Sequence, residues 1–174
     1  MTLEPLTRKD MEQIRVWRHE FKETLRTPFM LTKEMQEDYY RDTICNRDSK
    51  TRYWALCEHK FGRRLLGYGG IENISWENSN GEMSLLIDPD RHGEGLGSEA
   101  VEMFLEQAFS FLNLNVVYGE CYGSGPYEFW EKMVEKYEGE GIWLPRRKFW
   151  QGEYYDSFGF TFCRGKLAYK GALV

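Results

Sequence analysis

The spacing of apolar residues changes along the chain, and this change predicts the order of helices and strands. Met11, Ile14, Trp17 and Phe21 recur at helical spacing after Thr7, which is suited to capping a helix. A second helix is predicted to begin at a threonine in the segment LTKEMQEDYY. The segments TRYWALCEHK, LLGYGGIENISW and MSLLI are separated by turn residues and predict a three-strand meander.

The second half of the chain continues this alternation of helix and strand. A helix is predicted from Ser98, followed by a strand in NVVYGECYG, a helix in PYEFWEKMVEKY and a terminal hairpin that turns at Gln151 and Gly152. This order predicts an α/β (α+β) fold with a mixed, mostly antiparallel central sheet and one βαβ crossover. We expect a single domain over residues 1–174, with about six to seven strands and about four helices.

Composition excludes several classes of protein. Apolar residues make up 41% of the 174-residue chain, which argues against disorder, and the net charge of −5 argues against a general nucleic-acid binder. The sequence contains no apolar run of about 18 residues and no apolar core near its first residues, so we expect neither a membrane span nor a signal peptide. The four cysteines are scattered, which predicts reduced thiols in a cytoplasmic protein and no metal site.

The segment DPDRHGEGLGSEA places three glycines between an apolar strand and the start of a helix. Unpaired N–H groups and the positive end of the helix dipole favour an anion there, usually a phosphate. A nucleotide-hydrolysing P-loop requires a lysine after its last glycine, and a dinucleotide-binding loop requires a different glycine spacing, so neither fits. A tight turn with a glycine-capped helix is the structural alternative, because a glycine motif by itself is a weak signal.

The wider segment LLIDPDRHGEGLGSEAVEMFLEQAF resembles the acyl-CoA loop of the GNAT acetyltransferase superfamily. Within it, the chain is most similar to the branch of ribosomal-protein and spermidine acetyltransferases. The opening LEPLTRKDMEQIRVWRH, the meander and the terminal RRKFWQGEYYDSFGF carry this similarity over nearly the whole chain. The resemblance implies the GNAT fold and acetyl-CoA as co-substrate.

The resemblance also implies which residues bind the coenzyme. The backbone at Leu86 and Ile87 would pair with the pantetheine amides, in a gap between two splayed strands. His92 stands where the family usually has Gln or Arg, and the neighbouring Arg91 could supply the missing positive charge. The loop that would receive the pyrophosphate consists of His92, Gly93, Glu94, Gly95, Leu96, Gly97 and Ser98.

Acetyl transfer to an amine needs an uncharged nucleophile, a donor for the oxyanion and a proton for the departing thiolate. Glu82, where the family often has an acid, and Glu72 on the neighbouring strand are the candidate bases; both could instead be solvated strand carboxylates. Trp130 replaces the family's tyrosine acid. Tyr127, one turn earlier, could substitute for it or belong to the core, and water could instead protonate the thiolate.

The basic residues Arg26, Arg146 and Arg147 are the candidate acceptor-binding residues, because they lie in segments that border the acceptor site in the family. We therefore predict a cytoplasmic, metal-independent N-acetyltransferase that acts by direct attack on a small primary amine bearing an anionic group, such as an amino-sugar nucleotide. Polyamine or protein N-terminal acetylation is a second hypothesis for the acceptor. Two further hypotheses are a non-catalytic CoA-binding module and a nucleic-acid-associated module that uses the PRRKFW hairpin. No membrane partner is expected, and the prediction is compatible with a homodimer.

Overall fold

The computed structural model describes residues 1–165, and residues 166–174 of the expected domain lie outside this range. Its strands are β1 (Thr2–Pro5), β2 (Arg52–Glu58), β3 (Arg64–Ser75), β4 (Asn80–Ile87), β5 (Val116–Tyr122), β6 (Glu140–Trp150) and β7 (Glu153–Cys163). Its α-helices are α1 (Arg8–Glu20), α2 (Lys33–Tyr39), α3 (Leu96–Glu106) and α4 (Tyr127–Lys136). In residues 1–165 the seven strands form one sheet in the order β1-β2-β3-β4-β5-β7-β6.

The mixed, mostly antiparallel sheet is confirmed. All neighbouring strands are antiparallel except β4 and β5, which are parallel and joined through α3, as the βαβ prediction requires. The terminal hairpin turns at Gln151 and Gly152, both with positive φ, as a two-residue hairpin turn demands.

Two details differ from the prediction. The strand β1 was not predicted, because a segment of four residues directly before a helix cap is too short to display an alternating pattern. It pairs with β2, with Thr2 opposite Cys57 and Pro5 opposite Trp54. The helix α3 begins at Leu96 rather than Ser98, because Gly95 adopts a left-handed conformation and serves as its N-cap.

The two faces of the sheet carry separate clusters of buried residues. The helices α3 and α4 cover one face, where Phe104, Phe109 and Phe162 are at most 1% exposed. The helix α1 covers part of the other face through Met11, Ile14 and Trp17, which pack in a cluster with residues of β2, β3 and β4. The remainder of that second face, towards β5 and β7, is where polar side chains gather.

An ion pair between the buried Asp10 and the partly exposed Arg63 joins the start of α1 to the β2–β3 hairpin. Asp10 is 3% exposed and accepts two hydrogen bonds from Arg63, both of 2.8 Å. Asp10 also forms a capping box with Thr7, which fixes the first turn of α1. Burial raises the pKa of Asp10, but the hydrogen bonds from Arg63 and Thr7 outweigh burial, so its pKa lies below the usual range.

We expect Asp10→Asn to destabilise the protein by about 1–2 kcal/mol, because it weakens the capping box and removes one of the two carboxylates that pair with Arg63, the other being Glu4. The measurement is urea unfolding at neutral pH. The pKa of Asp10 is lowered in the folded state, so its carboxylate stabilises the fold at pH values above its unfolded pKa. This stabilisation is lost as the pH falls through the folded-state pKa. The parent protein should therefore lose more stability on acidification than the variant.

The matched control is Asp42→Asn, since the Asp42 side chain is 63% exposed in its ion pair with Arg41. We expect this variant to change the free energy of unfolding by less than about 0.5 kcal/mol. Equal losses in the two variants would show that the pair of Asp10 with Arg63 contributes no more than a surface pair.

Candidate active site

The parallel strands β4 and β5 separate partway along their length. They pair at three positions only, ending with Glu82 opposite Tyr118. Beyond this point β4 stays paired with β3 up to Ile87, and β5 stays paired with β7 up to Tyr122. The separation opens a gap flanked by the inner edges of both strands. The predicted pantetheine-binding residues Leu86 and Ile87 lie at this gap.

The glycine loop lies at the end of β4, between that strand and α3. Gly93 and Gly95 have φ values of +84° and +81°, and a Cβ at either position would point into open space. At these two positions no side chain covers the N–H groups in the first turn of α3. This arrangement suits a pyrophosphate. Of the predicted loop residues, His92, Gly93 and Gly97 line the cavity described below.

Two loop side chains have partners that the sequence did not indicate. The His92 ring stacks on Phe21 with 5.5 Å between ring centroids. Arg91 pairs with Glu94 at 2.6 Å and with Glu58 at 3.1 Å. The positive charge that Arg91 would bring to a phosphate is thus already balanced by two carboxylates.

A cavity of about 840 Å³ connects the glycine loop with the open face of the sheet. Its volume is in the range of small-molecule and cofactor sites. Apolar residues from α1, α2 and the loop between them form much of the wall. The charged residues that line it are Arg18, Arg26, Glu72, Glu82 and Glu120.

Glu82 lies at the point where β4 and β5 separate, and its carboxylate is engaged. Arg26 donates to it from both terminal guanidinium nitrogens, Nη1 and Nη2, and the longer of these contacts is 3.1 Å. The Asn73 amide donates a further hydrogen bond of 2.9 Å. The Glu82 side chain is 9% exposed, whereas that of Arg26 is 50% exposed, so a buried carboxylate is paired with a half-exposed cation.

Glu72 lies beside Glu82, directly opposite it in the β3–β4 register. Burial raises the pKa of Glu72, and the charge of Glu82 adds to this effect. A hydrogen bond from Tyr53 and the charges of Arg26 and Arg18 lower it, but the resulting pKa still lies above the usual range. Among residues 1–165, no cationic side chain forms an ion pair with Glu72. The structure thus brings the two predicted carboxylates together but gives them different surroundings.

The predicted leaving-group acid lies outside the cavity wall. The Tyr127 ring packs edge-on against Trp143 at 5.2 Å, and Tyr127 is not among the residues that line the cavity. Trp130 does line it, and its indole is stacked on Phe160 with 4.1 Å between centroids. Tyr122 also lines the cavity, at the end of β5, a position that no motif in the sequence marked.

The predicted acceptor residues are divided by the structure. Arg26 lies in the cavity wall, whereas Arg146 and Arg147 do not. Arg147 pairs with Glu120 at 3.1 Å, and the Arg146 guanidinium lies 4.8 Å from the centre of the Tyr154 ring. Within residues 1–165, no group of three or more His, Cys, Asp or Glu side chains is arranged to hold a metal ion, and no helix is long and apolar enough to cross a bilayer.

Solved structures share this fold over nearly the full chain. Mutant forms of the spermidine/spermine N-acetyltransferase SpeG from Vibrio cholerae superpose with a TM-score of 0.84 at 19% identity, over 98% of this chain and 97% of that one. The Vibrio cholerae spermidine N-acetyltransferase in complex with CoA and spermine gives 0.83 at 20% identity, over 96% and 97%. A chimera of SpeG from Vibrio cholerae and hSSAT gives 0.79 at 22% identity, over 97% and 99%.

No curated protein matches the chain in sequence. The acetyltransferase (GNAT) domain family, however, matches residues 1–124, which is more than half of the chain. The chain belongs to the GNAT acetyltransferase family. The predicted family is confirmed, and with it an N-acetyltransferase that takes acetyl-CoA as its co-substrate.

We expect Gly95→Val to lower the affinity of this GNAT enzyme for acetyl-CoA by at least about tenfold. A β-branched residue at φ +81° is strained by about 1–3 kcal/mol, and its side chain would occupy the open space in front of the α3 N-terminus. Calorimetric titration with acetyl-CoA measures the effect.

Gly62→Val is the matched control, because Gly62 has φ +96°, also has open space around its Cβ position, and lies in the β2–β3 turn. It should be strained to a similar degree and bind acetyl-CoA normally. A folded Gly95→Val protein with unchanged affinity would remove the loop from the coenzyme site.

Proposed function

We propose that this enzyme acetylates a primary amine of a polyamine by direct attack on acetyl-CoA in a ternary complex. The observation that carries the proposal is that Glu72, Glu82 and Glu120 line one cavity. Glu82 and Glu120 are 9% and 15% exposed, whereas their arginine partners are 50% and 54% exposed. An ionised carboxylate has about four lone-pair sites, so acceptor ammonium groups can bind Glu82 and Glu120 beside their arginines.

The spacing of these carboxylates suits a chain of several ammonium groups. Glu72 and Glu82 are on adjacent strands, about 4.8 Å apart in the sheet. Glu120 is two residues beyond Tyr118, which is opposite Glu82, so its backbone lies at least about 8 Å from that of Glu82. The shorter separation is comparable to one carbon link of a natural polyamine, and the longer one lies within the length of a whole polyamine. The likeness in fold to a spermidine N-acetyltransferase crystallised with CoA and spermine supports the same acceptor class.

An amino-sugar nucleotide has less support than a polyamine. The sequence argument for an anionic acceptor rests on Arg146 and Arg147, neither of which lines the cavity. Glu120 balances the charge of Arg147, and the Arg146 guanidinium lies over an aromatic ring. The cytoplasmic location and the homodimer remain predictions.

Glu72 is proposed as the general base. An alkyl ammonium has a pKa near ~10.4 and must lose a proton before it can attack. A carboxylate whose pKa is raised by burial is better matched to that proton, and the effect of burial on the pKa of Glu72 outweighs the opposing charges of Arg26 and Arg18. Glu82, held by Arg26 and Asn73, is proposed to stabilise the positive charge of the incoming amine.

Direct transfer is preferred to a covalent intermediate on the enzyme. Cys121 lines the cavity, but burial raises the pKa of its thiol to about 12, so it is a poor nucleophile at neutral pH. The backbone N–H groups near Leu86 are proposed to stabilise the oxyanion. A CoA thiolate has a pKa near ~8.5, so it can leave without a dedicated acid, and Tyr127 stays a prediction for that role.

The test of the function is a thiol-release assay over spermidine, spermine, an amino-sugar nucleotide, an N-terminal peptide and a simple monoamine. We expect the polyamines to give the highest kcat/KM, with a KM that rises with salt because ion pairs bind them. Turnover of the nucleotide in preference to both polyamines would contradict the acceptor. Acetyl-CoA binding with no thiol release from any amine would favour a non-catalytic CoA-binding module.

Glu72→Gln should reduce kcat by about 10²-fold near neutral pH, with the deficit shrinking in alkaline buffer as the free amine becomes available. In the parent enzyme the rate should rise through the raised pKa of Glu72, because only the ionised carboxylate accepts a proton. The measurement is the pH dependence of kcat and kcat/KM.

Glu82→Gln is the matched control, since it makes the same change on the adjacent strand. It should mainly raise the KM of the acceptor and keep an acid limb, the range in which the rate rises with pH. That limb should move to lower pH, because the charge of Glu82 contributes to the raised pKa of Glu72. If Glu72→Gln keeps the parent pH profile, water rather than Glu72 removes the proton.

A further inference from the structure

Lys148 is a buried ammonium group, and none of the acidic side chains that the structure describes pairs with it. The residue is 5% exposed, and burial lowers the pKa of its side chain. Its Nζ donates to the carbonyl oxygen of Leu25 and lies 5.3 Å and 5.6 Å from the ring centres of Tyr122 and Trp150. Because a buried charge is costly unless its contacts compensate, these three contacts indicate a specific role.

A bulge in β6 directs Lys148 to this position. The register between β6 and β7 shifts between Leu144 and Lys148, and Arg146 within the bulge has φ +56°. A bulge changes the direction of the side chains that follow it. Lys148 is therefore turned onto the segment that connects α1 and α2, which is 123 residues away in sequence.

The ends of the connecting segment are fixed at Phe21, which stacks on His92, and at Leu31, which bonds to side chains of α1, and its middle is held by side chains from other elements. Ser124 donates to the carbonyl oxygen of Glu23 at 3.2 Å, and Arg18 donates to Thr27 at 3.0 Å. Between these two points, Lys148 holds the carbonyl of Leu25, and the next residue is Arg26, which pairs with Glu82. The backbone contact and the ion pair are thus on adjacent residues.

We propose that Lys148 is a positioning residue for Arg26: by holding the carbonyl of Leu25, it keeps the Arg26 guanidinium on Glu82 and beside Glu72. This inference rests on the proposed role of Glu72 as the base. Its consequence is that Lys148 influences the acetyl transfer through Arg26, without touching the reacting atoms.

The groups that act on Glu72 come from several elements. They are Arg18 of α1, Tyr39 of α2, Tyr53 of β2, Glu82 of β4, Tyr118 of β5 and Arg26 of the connecting segment. The positive charge of Arg26 favours the ionised form of Glu72. Loss of Arg26 from its place therefore raises the pKa of Glu72 and moves the acid limb of the kcat/KM profile to higher pH.

The experiment compares Arg26→Gln, Lys148→Met, the double variant and Lys148→Arg, with the exposed Lys132→Met as control for the loss of one positive charge. The readouts are the pH profile of kcat/KM, which reports the free enzyme, and amide hydrogen exchange of residues 21–31. If Lys148→Met does not fold, Lys148→Gln replaces it.

We expect the acid limb to move to higher pH by the same amount in Arg26→Gln and Lys148→Met, with kcat/KM on that limb lowered by about three- to tenfold. The double variant should show no further shift, since both changes act through Arg26. Lys148→Arg should keep the acid limb at the pH of the parent enzyme. Of the lysine variants, only Lys148→Met should show faster amide hydrogen exchange in residues 21–31.

The proposal would be overturned if the acid limb moved in Arg26→Gln but not in Lys148→Met. It would also be overturned if the two shifts added in the double variant, because a direct charge effect of Lys148 is additive. If Arg26→Gln leaves the limb unmoved, the proposed base has failed, and hydrogen exchange then decides the role of Lys148 by itself. Unchanged exchange of residues 21–31 in Lys148→Met would refute it.

Discussion

The site depends on β4 leaving β5 while it stays paired with β3. Glycines of β3 permit this close pairing: a Cβ at Gly69 would overlap the carbonyl oxygen of Ser84, and one at Gly67 would lie 2.6 Å from the carbonyl oxygen of Leu86. Larger residues at these two positions would disturb the pairing of β3 with β4. Gly67 and Gly69 thus let β3 hold β4 along the part of the strand that has left β5.

The strand separation also places two carboxylates side by side in unequal surroundings. Glu72 and Glu82 face the same side of the sheet on adjacent strands. Glu82 accepts hydrogen bonds from an arginine and an amide, whereas Glu72 is half-buried beside tyrosines and has a raised pKa. Neighbouring carboxyl groups with different environments can divide the work of charge stabilisation and proton transfer. The proposed mechanism uses this division.

The fold and the glycine loop could be predicted because their signals are local. The threonine cap of α1, the hairpin turn at Gln151 and the glycines before α3 each specify their own conformation. The contacts of the site are not local, since Arg26 meets Glu82 across 56 residues and Lys148 meets Leu25 across 123. The basic run from Arg146 to Lys148 reads as one charged rim, but the bulge in β6 sends each of its side chains to a different partner.

The packing of α4 explains why the proposed mechanism assigns a residue to remove the amine proton but none to protonate the thiolate. Its Trp130 is stacked on Phe160 and its Tyr127 packs on Trp143, so both aromatic rings contribute to packing. A thiolate is a good leaving group near neutral pH. An alkyl ammonium cannot attack until it loses its proton, and its pKa is about two units higher than that of a thiol. The harder transfer is therefore removal of the amine proton, and Glu72, which lines the cavity, is the residue proposed to accept it. An enzyme with this arrangement can lack a dedicated acid on α4 and still lower the barrier that limits the uncatalysed reaction.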